Sequence, residues 1–265
     1  MQDSALQPIL LCISGHDPCG GAGIQADLEA ARAAGLFSAC VISCLTTQDT
    51  CGLRAYWPQP EDRIEEQCRL IFRESQVRAV KIGLLGSSRI SRVLVQLADE
   101  YQEIPWVLDP ILSPSLGDGF LDAALLNQIR KHLLGRCTLI TPNLSEARLL
   151  SGAKTPKTCA QRLLKTGCRW VLITSTQEAE EEMVIHRLYG QNGVERAWRW
   201  PRLPGHYHGS GCTLASAAAA RLALGMEMVQ AVEAAQRYTW ESLRKALRTG
   251  RCQLTPDRFY FLNRS

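Results

Sequence analysis

The segment that constrains the chemistry of this chain most tightly is a run of small residues ahead of an alanine-rich stretch. Gly209, Ser210 and Gly211 precede Cys212, and the alanine-rich stretch covers residues 214–224. If a helix begins here, the N–H groups of its first turn lack helical partners and, with the helix dipole, form an anion-binding site. A cysteine in that position is expected to favour its thiolate over its thiol. The segment predicts an anion hole with a nucleophile or base, or else a buried cysteine on a core helix.

A second group of residues offers oxygen atoms of the kind that Mg²⁺ accepts. Asp109 ends one predicted strand, and Asn143 and Glu146 follow another at i, i+3 spacing, which puts both side chains on one face of a helix start. The alternative is that Ser145 caps this helix and Glu146 only complements the helix dipole. Together with the anion hole, these oxygen donors predict a phosphoryl-transfer site.

Other motifs are weaker. Gly21, Gly23 and Ala26 match the G-x-G-x-x-G/A dinucleotide fingerprint, but the match starts well after the preceding strand. An NAD-dependent oxidoreductase therefore stays as an alternative, and a Walker A loop is absent from the sequence. His206 and His208 could ligate a metal, although two histidines without a third partner usually do not.

Composition sets the class of protein. The 265 residues are 46% hydrophobic and 21% charged, with a net charge of +4, which is typical of a globular enzyme and too small to argue for nucleic acid. No window offers 18 uninterrupted apolar residues, so we expect no membrane span. The 11 cysteines include no C-x-x-C pair, which favours reduced core cysteines in the cytosol.

Strand and helix patterns alternate along the chain and must position these residues. Strands are predicted at 9–14, 37–45, 77–82, 104–108, 137–140 and 170–174, and helices at 24–34, 61–74, 88–100, 121–134, 145–150, 159–166 and 228–247. A hairpin is predicted around Gln191, Asn192 and Gly193. The pattern predicts one α/β domain, residues 1–265, with a mostly parallel, doubly wound sheet and an antiparallel hairpin at one edge. Residues 46–50 (TTQDT) are predicted to form a polar loop.

Six segments stand in the order found in the hydroxymethylpyrimidine/phosphomethylpyrimidine kinases, the thiamine-biosynthesis branch of the ribokinase superfamily. They are residues 20–28 (GGAGIQADL), 46–50 (TTQDT), 81–85 (KIGLL), 109–110 (DP), 141–147 (TPNLSEA) and 208–214 (HGSGCTL). The chain resembles this family over residues 9–248, and the last segment is the most specific because most of the wider superfamily carries Asp where Cys212 stands. The resemblance implies a ribokinase-like fold of three layers, α/β/α.

The resemblance also implies the reaction machinery. The cofactors would be ATP and Mg²⁺, and Cys212 would be the base or anion-hole residue that faces the substrate hydroxymethyl group. The N–H groups of Gly209, Ser210 and Gly211 would hold the transferred phosphate. ATP would lie against Asn143, Thr174 and Glu146, and the metal against Asp109 and Glu146.

For the substrate, the resemblance implies a small pyrimidine. The Gln48 amide would bind the aminopyrimidine edge, because an amide can donate to a ring nitrogen and accept from an exocyclic amine. The rest of the pocket would be lined by Asp27, Gly15, Leu84 and Ile111.

The chain departs from the family pattern at two places. Residues 174–176 (TST) stand where many members carry Lys-Gly-Gly, and residues 113–117 (SPSLG) lack a lysine that is often present. Thr174 offers a hydroxyl where a lysine would place a point charge on the ATP phosphates, and this makes the chain more like pyridoxal kinases there.

We therefore expect a cytoplasmic kinase that phosphorylates 4-amino-5-hydroxymethyl-2-methylpyrimidine and then its monophosphate. The alternatives are a pyridoxal kinase of the same fold, the oxidoreductase above, and a non-catalytic pyrimidine-binding sensor. We expect no nucleic-acid or membrane partner. The sequence leaves the oligomeric state open, with a homodimer as one option.

Overall fold

A single sheet runs through the molecule. The computed structural model describes residues 6–112, 122–175, 182–193 and 195–262. The strands are β1 (Pro8–His16), β2 (Phe37–Asp49), β3 (Gly52–Pro58), β4 (Gln76–Ile82), β5 (Trp106–Leu108), β6 (Leu139–Ile140), β7 (Trp170–Ser175), β8 (Met183–Gly190) and β9 (Glu195–Pro201). Their spatial order is β3-β2-β1-β4-β5-β6-β7-β8-β9. The strands from β2 to β7 in this order pair in parallel, and β3, β8 and β9 are antiparallel to their neighbours.

Helices cover both faces of the sheet. They are α1 (Gly23–Ala33), α2 (Glu61–Glu74), α3 (Ser88–Glu100), α4 (Ala123–Gln128), α5 (Leu144–Ser151), α6 (Pro156–Leu164), α7 (Ser210–Ala223) and α8 (Met228–Arg244). One apolar core lies under the face formed by α2 to α6, and a second under α1, α7 and α8. Both helices with strong amphipathic spacing, α2 and α3, have the bounds that the sequence predicts.

The central strand shows why the sheet is covered on both faces. In β1, Ile9, Leu11 and Ile13 point into the first core, whereas Leu10 and Cys12 point into the second. Successive strand side chains alternate between the two faces, so a strand buried on both sides is apolar throughout. The predicted three-layer, doubly wound α/β architecture is confirmed.

Two segments differ from the sequence prediction. The TTQDT segment, expected to be a loop, continues β2, which turns into β3 and forms a second antiparallel edge of the sheet. The helix expected at 121–134 is α4 followed by a π-helical turn, Ile129–Leu133, and a 3₁₀ turn, Leu134–Arg136. Polar residues at the solvent edge of a sheet can make the backbone hydrogen bonds between strands as well as apolar residues can. The polar composition of this segment therefore gave the wrong prediction for the end of β2.

One pair of cysteines contradicts the expectation of reduced thiols. Cys51, in the β2–β3 turn, forms a disulfide with Cys252 in the segment that follows α8. The other nine cysteines are free. The partners lie 201 residues apart, so no local spacing could identify them. Across the described ranges, no helix is both long enough and apolar enough to cross a membrane.

Candidate active site

The expected site residues gather at the carboxyl ends of the parallel strands. Asp109 follows β5, Asn143 follows β6, and Thr174 lies near the end of β7 and pairs with Asn143 in an isolated bridge. Strand order reverses at β1, which has β2 on one side and β4 on the other. Open α/β sheets bind ligands at such a reversal, outside the carboxyl ends of the strands. The site therefore lies where the fold predicts it.

The predicted anion hole is the place where the N-termini of α7 and α1 meet. Gly209 is the N-cap of α7 with a φ of +84°, and a Cβ there would overlap the carbonyl oxygen of Gly21. Only glycine tolerates both this backbone conformation and this approach. The first helical bond of α7 runs from Thr213 N to Gly209 O at 2.9 Å. The N–H groups of Ser210, Gly211 and Cys212 therefore belong to the first turn, whose donors a helix leaves for a ligand.

Cys212 does not carry the expected thiolate. Its side chain is buried, and burial raises the pKa of its thiol to about 12, with the negative charges of Asp109 and Asp27 acting in the same direction. The Lys81 ammonium and the Gly23 N–H lower this pKa, but they do not outweigh burial. The prediction of an acidic cysteine is wrong because desolvation exceeds the effect of the helix terminus. The alternative of a buried cysteine on an alanine-rich core helix describes its surroundings correctly.

The thiol of Cys212 instead lies beside the carboxyl group of Asp109. Burial raises the pKa of Asp109 to about 6, with Asp27 adding to the rise, whereas Lys81 and the Cys212 thiol lower it. The Asp109 carboxylate also faces the first turn of α7, since its Oδ2 lies 3.5 Å from the Cβ position of Gly211. Asp109 is therefore an ionisable group with a pKa near neutrality at the mouth of the anion hole.

Glu146 is a second buried carboxyl group close to Asp109. Burial raises the pKa of Glu146 to about 8, and the Asp109 charge contributes. Its carboxylate accepts from Asn143 N at 2.9 Å, while the Asn143 side chain accepts from Glu146 N at 2.9 Å. This is a capping box, so Asn143, and not Ser145, is the N-cap of α5. Two buried carboxyl groups, one of which raises the pKa of the other, form a donor set that a divalent cation would neutralise.

Lys81 is the site residue whose role the sequence analysis missed. It is fully buried, and its Nζ lies 2.6 Å from Oδ1 of Asp27, which also accepts from Ser216 Oγ at 2.7 Å. The Asp109 carboxylate also acts on Lys81, so one buried cation serves both carboxylates. A lysine inside the apolar run of β4 is the signal that was available, since lysine is almost never fully buried unless paired. Asp27, expected to line the pocket, is fully buried.

Two of the expected pyrimidine-binding residues, Gly15 and Leu84, lie against each other. A Cβ on Gly15 would lie 3.1 Å from Leu84 Cδ2 and 3.0 Å from Cys44 Sγ, so the ends of β1, β2 and β4 meet here. Leu84 and Ile111 are half-buried, as apolar walls would be. Gln48 is half-buried near the end of β2. Residues 113–117 and Thr176, at which the chain departs from the family pattern, lie outside the described residues.

A hydrogen-bonded cluster organises the glycine-rich segment before α1. Asp17 accepts from Cys19 N at 3.0 Å, Ala22 N at 2.8 Å and His208 Nε2 at 2.8 Å, and these bonds hold its pKa well below the usual range although burial opposes them. The loop amides therefore serve Asp17 and do not form a pyrophosphate cradle, so the dinucleotide fingerprint is coincidental. Asp17, Cys19 and His208 have metal-ligand chemistry. His208 Nδ1 is buried without a partner. Because metal-bound histidines almost always donate their second N–H, this cluster lacks one feature of a metal site.

Comparisons with known proteins agree with this geometry. A family model described as phosphomethylpyrimidine kinase matches residues 17–257. A hydroxymethylpyrimidine/phosphomethylpyrimidine kinase of Streptomyces coelicolor is 35% identical over 238 residues, which cover 87% of each chain. The solved phosphomethylpyrimidine kinase of Clostridium difficile has 31% identity and a TM-score of 0.76, covering 88% of this chain and 97% of that one. The solved ADP complex of Bacillus subtilis pyridoxal kinase has 25% identity and a TM-score of 0.88, covering 98% and 100%. The chain therefore belongs to the phosphomethylpyrimidine kinase family, and it is a kinase.

Proposed function

We propose that this kinase transfers the γ-phosphoryl group of ATP to 4-amino-5-hydroxymethyl-2-methylpyrimidine, and then to the resulting monophosphate, in thiamine biosynthesis. The observation that carries this proposal is the buried Asp109 carboxyl group beside the first turn of α7, with the buried Glu146 carboxyl group close to it. Phosphoryl transfer needs an anion hole, a cation site and a proton acceptor together. The names and coverage of the relatives support the pyrimidine as substrate.

The anion hole would act on the phosphoryl group in flight. The N–H groups of Gly209, Ser210 and Gly211 would donate to its oxygens, where negative charge is held in the transition state. The substrate hydroxyl oxygen forms a bond to the γ-phosphorus as the bond to the bridging oxygen of ADP breaks. The hydroxyl proton goes to the Asp109–Cys212 pair, in which Asp109 is the group that is ionised near neutral pH.

The donor set fits Mg²⁺. Asp109 and Glu146 are both buried, and the Asp109 charge contributes to the raised pKa of Glu146. Glu146 would hold the cation, and Asp109 would lie near it with its carboxylate left to accept the proton. Bound there, Mg²⁺ would neutralise phosphate charge. Asn143 and Thr174, bridged at the ends of β6 and β7, would border the triphosphate.

Lys81 would supply the remaining positive charge. Because Thr174 carries no charge, the buried ammonium of Lys81, which lowers the pKa values of both Asp109 and Cys212, is the cation that keeps the proton acceptor ionised. Its pairing with Asp27 keeps it in place. Lys81 acts through Asp109 and does not touch the phosphates in this scheme.

A pyridoxal kinase is the second candidate, favoured by the higher TM-score of the Bacillus subtilis pyridoxal kinase and its coverage of nearly the whole chain. The experiment is to incubate the purified protein with Mg²⁺-ATP and either the hydroxymethylpyrimidine, its monophosphate or pyridoxal, and to identify products by mass. We expect kcat/KM for the pyrimidine to exceed that for pyridoxal. Phosphorylation of pyridoxal alone would replace the proposal with the second candidate, and binding without ATP turnover would leave a sensor.

We also propose a cytoplasmic location and a homodimer. The nine free cysteines favour a reducing compartment. Leu45 and Trp57 lie opposite each other across β2 and β3, and both are exposed. Such an apolar edge is a natural contact for a second copy. Light scattering on the wild type and on Trp57→Glu tests the dimer, because a mass unaffected by the substitution would remove this surface from the interface.

A further inference from the structure

A fully buried arginine beyond the last helix contacts both halves of the anion hole. Arg258 lies in the segment after α8, is 2% exposed, and is not part of any motif that the sequence analysis identified. A buried guanidinium is unusual, because arginine is almost never fully buried unless its charge and N–H groups are paired. Its contacts therefore indicate what it holds together.

On the α1 side, Arg258 binds the glycine-rich segment. Its Nη1 donates to Gly20 O at 3.4 Å and to the Glu29 carboxylate at 3.0 Å, and its Nη2 donates to Gly21 O. The Gly21 carbonyl is also the group against which Gly209 packs. One end of the guanidinium therefore fixes the surface on which the N-cap of α7 rests.

On the α7 side, Arg258 acts through a threonine. Its Nε donates to Thr213 Oγ1 at 2.9 Å, and the Thr213 hydroxyl donates to Gly209 O at 2.8 Å. The guanidinium thus reaches both partners of the Gly21–Gly209 contact. A planar fork with five donors can do this, whereas a point charge cannot.

We propose that Arg258 is a positioning residue for phosphoryl transfer: it sets the spacing between the N-termini of α1 and α7 and so the shape of the anion hole. This inference rests on the proposed function of that site. Arg258 does not touch substrate. Its effect belongs to the transition state, because the first-turn donors must meet oxygens whose charge is greatest there.

The test compares Arg258→Met with Tyr238→Phe. Met removes the fork and retains an unbranched apolar stem, whereas Phe removes only the hydrogen bond from the Tyr238 hydroxyl to Arg258 O and leaves the guanidinium in place. We expect Arg258→Met to lower kcat on the order of 10²-fold, as small misplacements of a catalytic group do, with the pyrimidine KM within about twofold of wild type. Tyr238→Phe should keep kcat within about twofold even where its Tm falls.

Amide hydrogen exchange gives a readout that does not depend on activity. In Arg258→Met, the amides of residues 20–23 and 209–213 should exchange faster than in wild type, and in Tyr238→Phe they should not. If the Met variant does not fold, Arg258→Lys is measured in the same way, since it keeps the charge beside Glu29 but cannot bridge both loops. The proposal would be overturned if the Arg258 variant that folds has the kcat of the wild type. It would also be overturned if Tyr238→Phe loses as much kcat as that Arg258 variant does. If the wild type has no kinase activity, the proposed function fails. The role of Arg258 is then tested by amide exchange alone, and unchanged exchange at the N-termini of both α1 and α7 in the Arg258 variant would overturn that role.

Discussion

The Glu146 carboxyl group should make the metal-free protein more stable as pH falls from 8 to 6.5. Its pKa is raised from 4.5 to about 8, so the folded protein binds this proton more tightly than the unfolded chain does. Stability therefore rises as the proton binds and is lost as pH rises through the folded pKa. Asp109, with a pKa of about 6, contributes little above pH 6.5. The buried His186, with a pKa lowered to about 4, works in the opposite direction only below about pH 6.5.

The expected size follows from linkage. A folded pKa of about 8 gives about 2 kcal/mol of added stability between pH 8 and pH 6.5. For a chain of 265 residues, this corresponds to a rise in Tm of about 5 °C. Mg²⁺ bound by the ionised Glu146 carboxylate should remove the slope and raise Tm most at pH 8, where it displaces the fewest protons from Glu146.

The assay is thermal unfolding at several pH values from 6.5 to 8, in EDTA and in Mg²⁺. The matched control is Glu146→Gln, which keeps the shape of the side chain and an acceptor oxygen for Asn143 N but does not titrate. Its Tm should be level across this range, so its difference from wild type isolates the carboxyl group from every other titrating group. A wild-type Tm that is level in EDTA, or a slope that persists in Glu146→Gln, would refute the reasoning.

Four further predictions concern three side chains. Gln48→Leu leaves polar ring atoms of the pyrimidine unpaired at a cost of about 1–3 kcal/mol, so kcat/KM for the pyrimidine should fall about tenfold or more with Tm unchanged; unaltered kinetics would exclude Gln48 from the pocket. Lys81→Met removes the charge that lowers the pKa of Asp109, so the acid limb of the kcat–pH profile should move to higher pH, and an unmoved limb would show that Asp109 is not the acceptor. Cys212 should react with iodoacetamide far more slowly than the exposed Cys40, because burial keeps it a thiol. Fast labelling that bound substrate prevents would show instead that Cys212 is a thiolate. Cys212→Ser, which retains a donor for Asp109, should keep more activity than Cys212→Ala.

Features that depend on local pattern could be predicted from the sequence. Periodicity gave the bounds of α2 and α3, and the alternation of strands and helices put Asp109, Asn143 and Thr174 at one edge of the sheet. The small residues before Cys212 predicted the start of α7 because glycine and serine leave first-turn donors open.

Features that depend on distant partners could not. Lys81 and Asp27 are 54 positions apart, and Arg258 meets Gly21 across most of the chain, so no spacing rule connects them. The pKa of Cys212 was misjudged for the same reason. A helix terminus can be seen in the sequence, whereas the depth at which the fold buries the thiol cannot.

The Cys51–Cys252 disulfide joins residues 201 positions apart in a chain of 265, so most of the chain, though not β1, α1 and β2, lies within one covalent loop. Closing a loop of that length removes about 5 kcal/mol of chain entropy from the unfolded ensemble in the loop-entropy model, which is comparable to the whole stability of a typical domain. Thr50 also accepts from Gln253 N at 3.1 Å and from Cys252 N at 3.4 Å. Neither hydrogen bond needs the disulfide, so we expect the two sulfurs to stay neighbours in the reduced protein. The oxidised and reduced enzymes would then have the same active site but different lifetimes, and the redox state of the compartment would set how long each molecule survives rather than how fast it turns over.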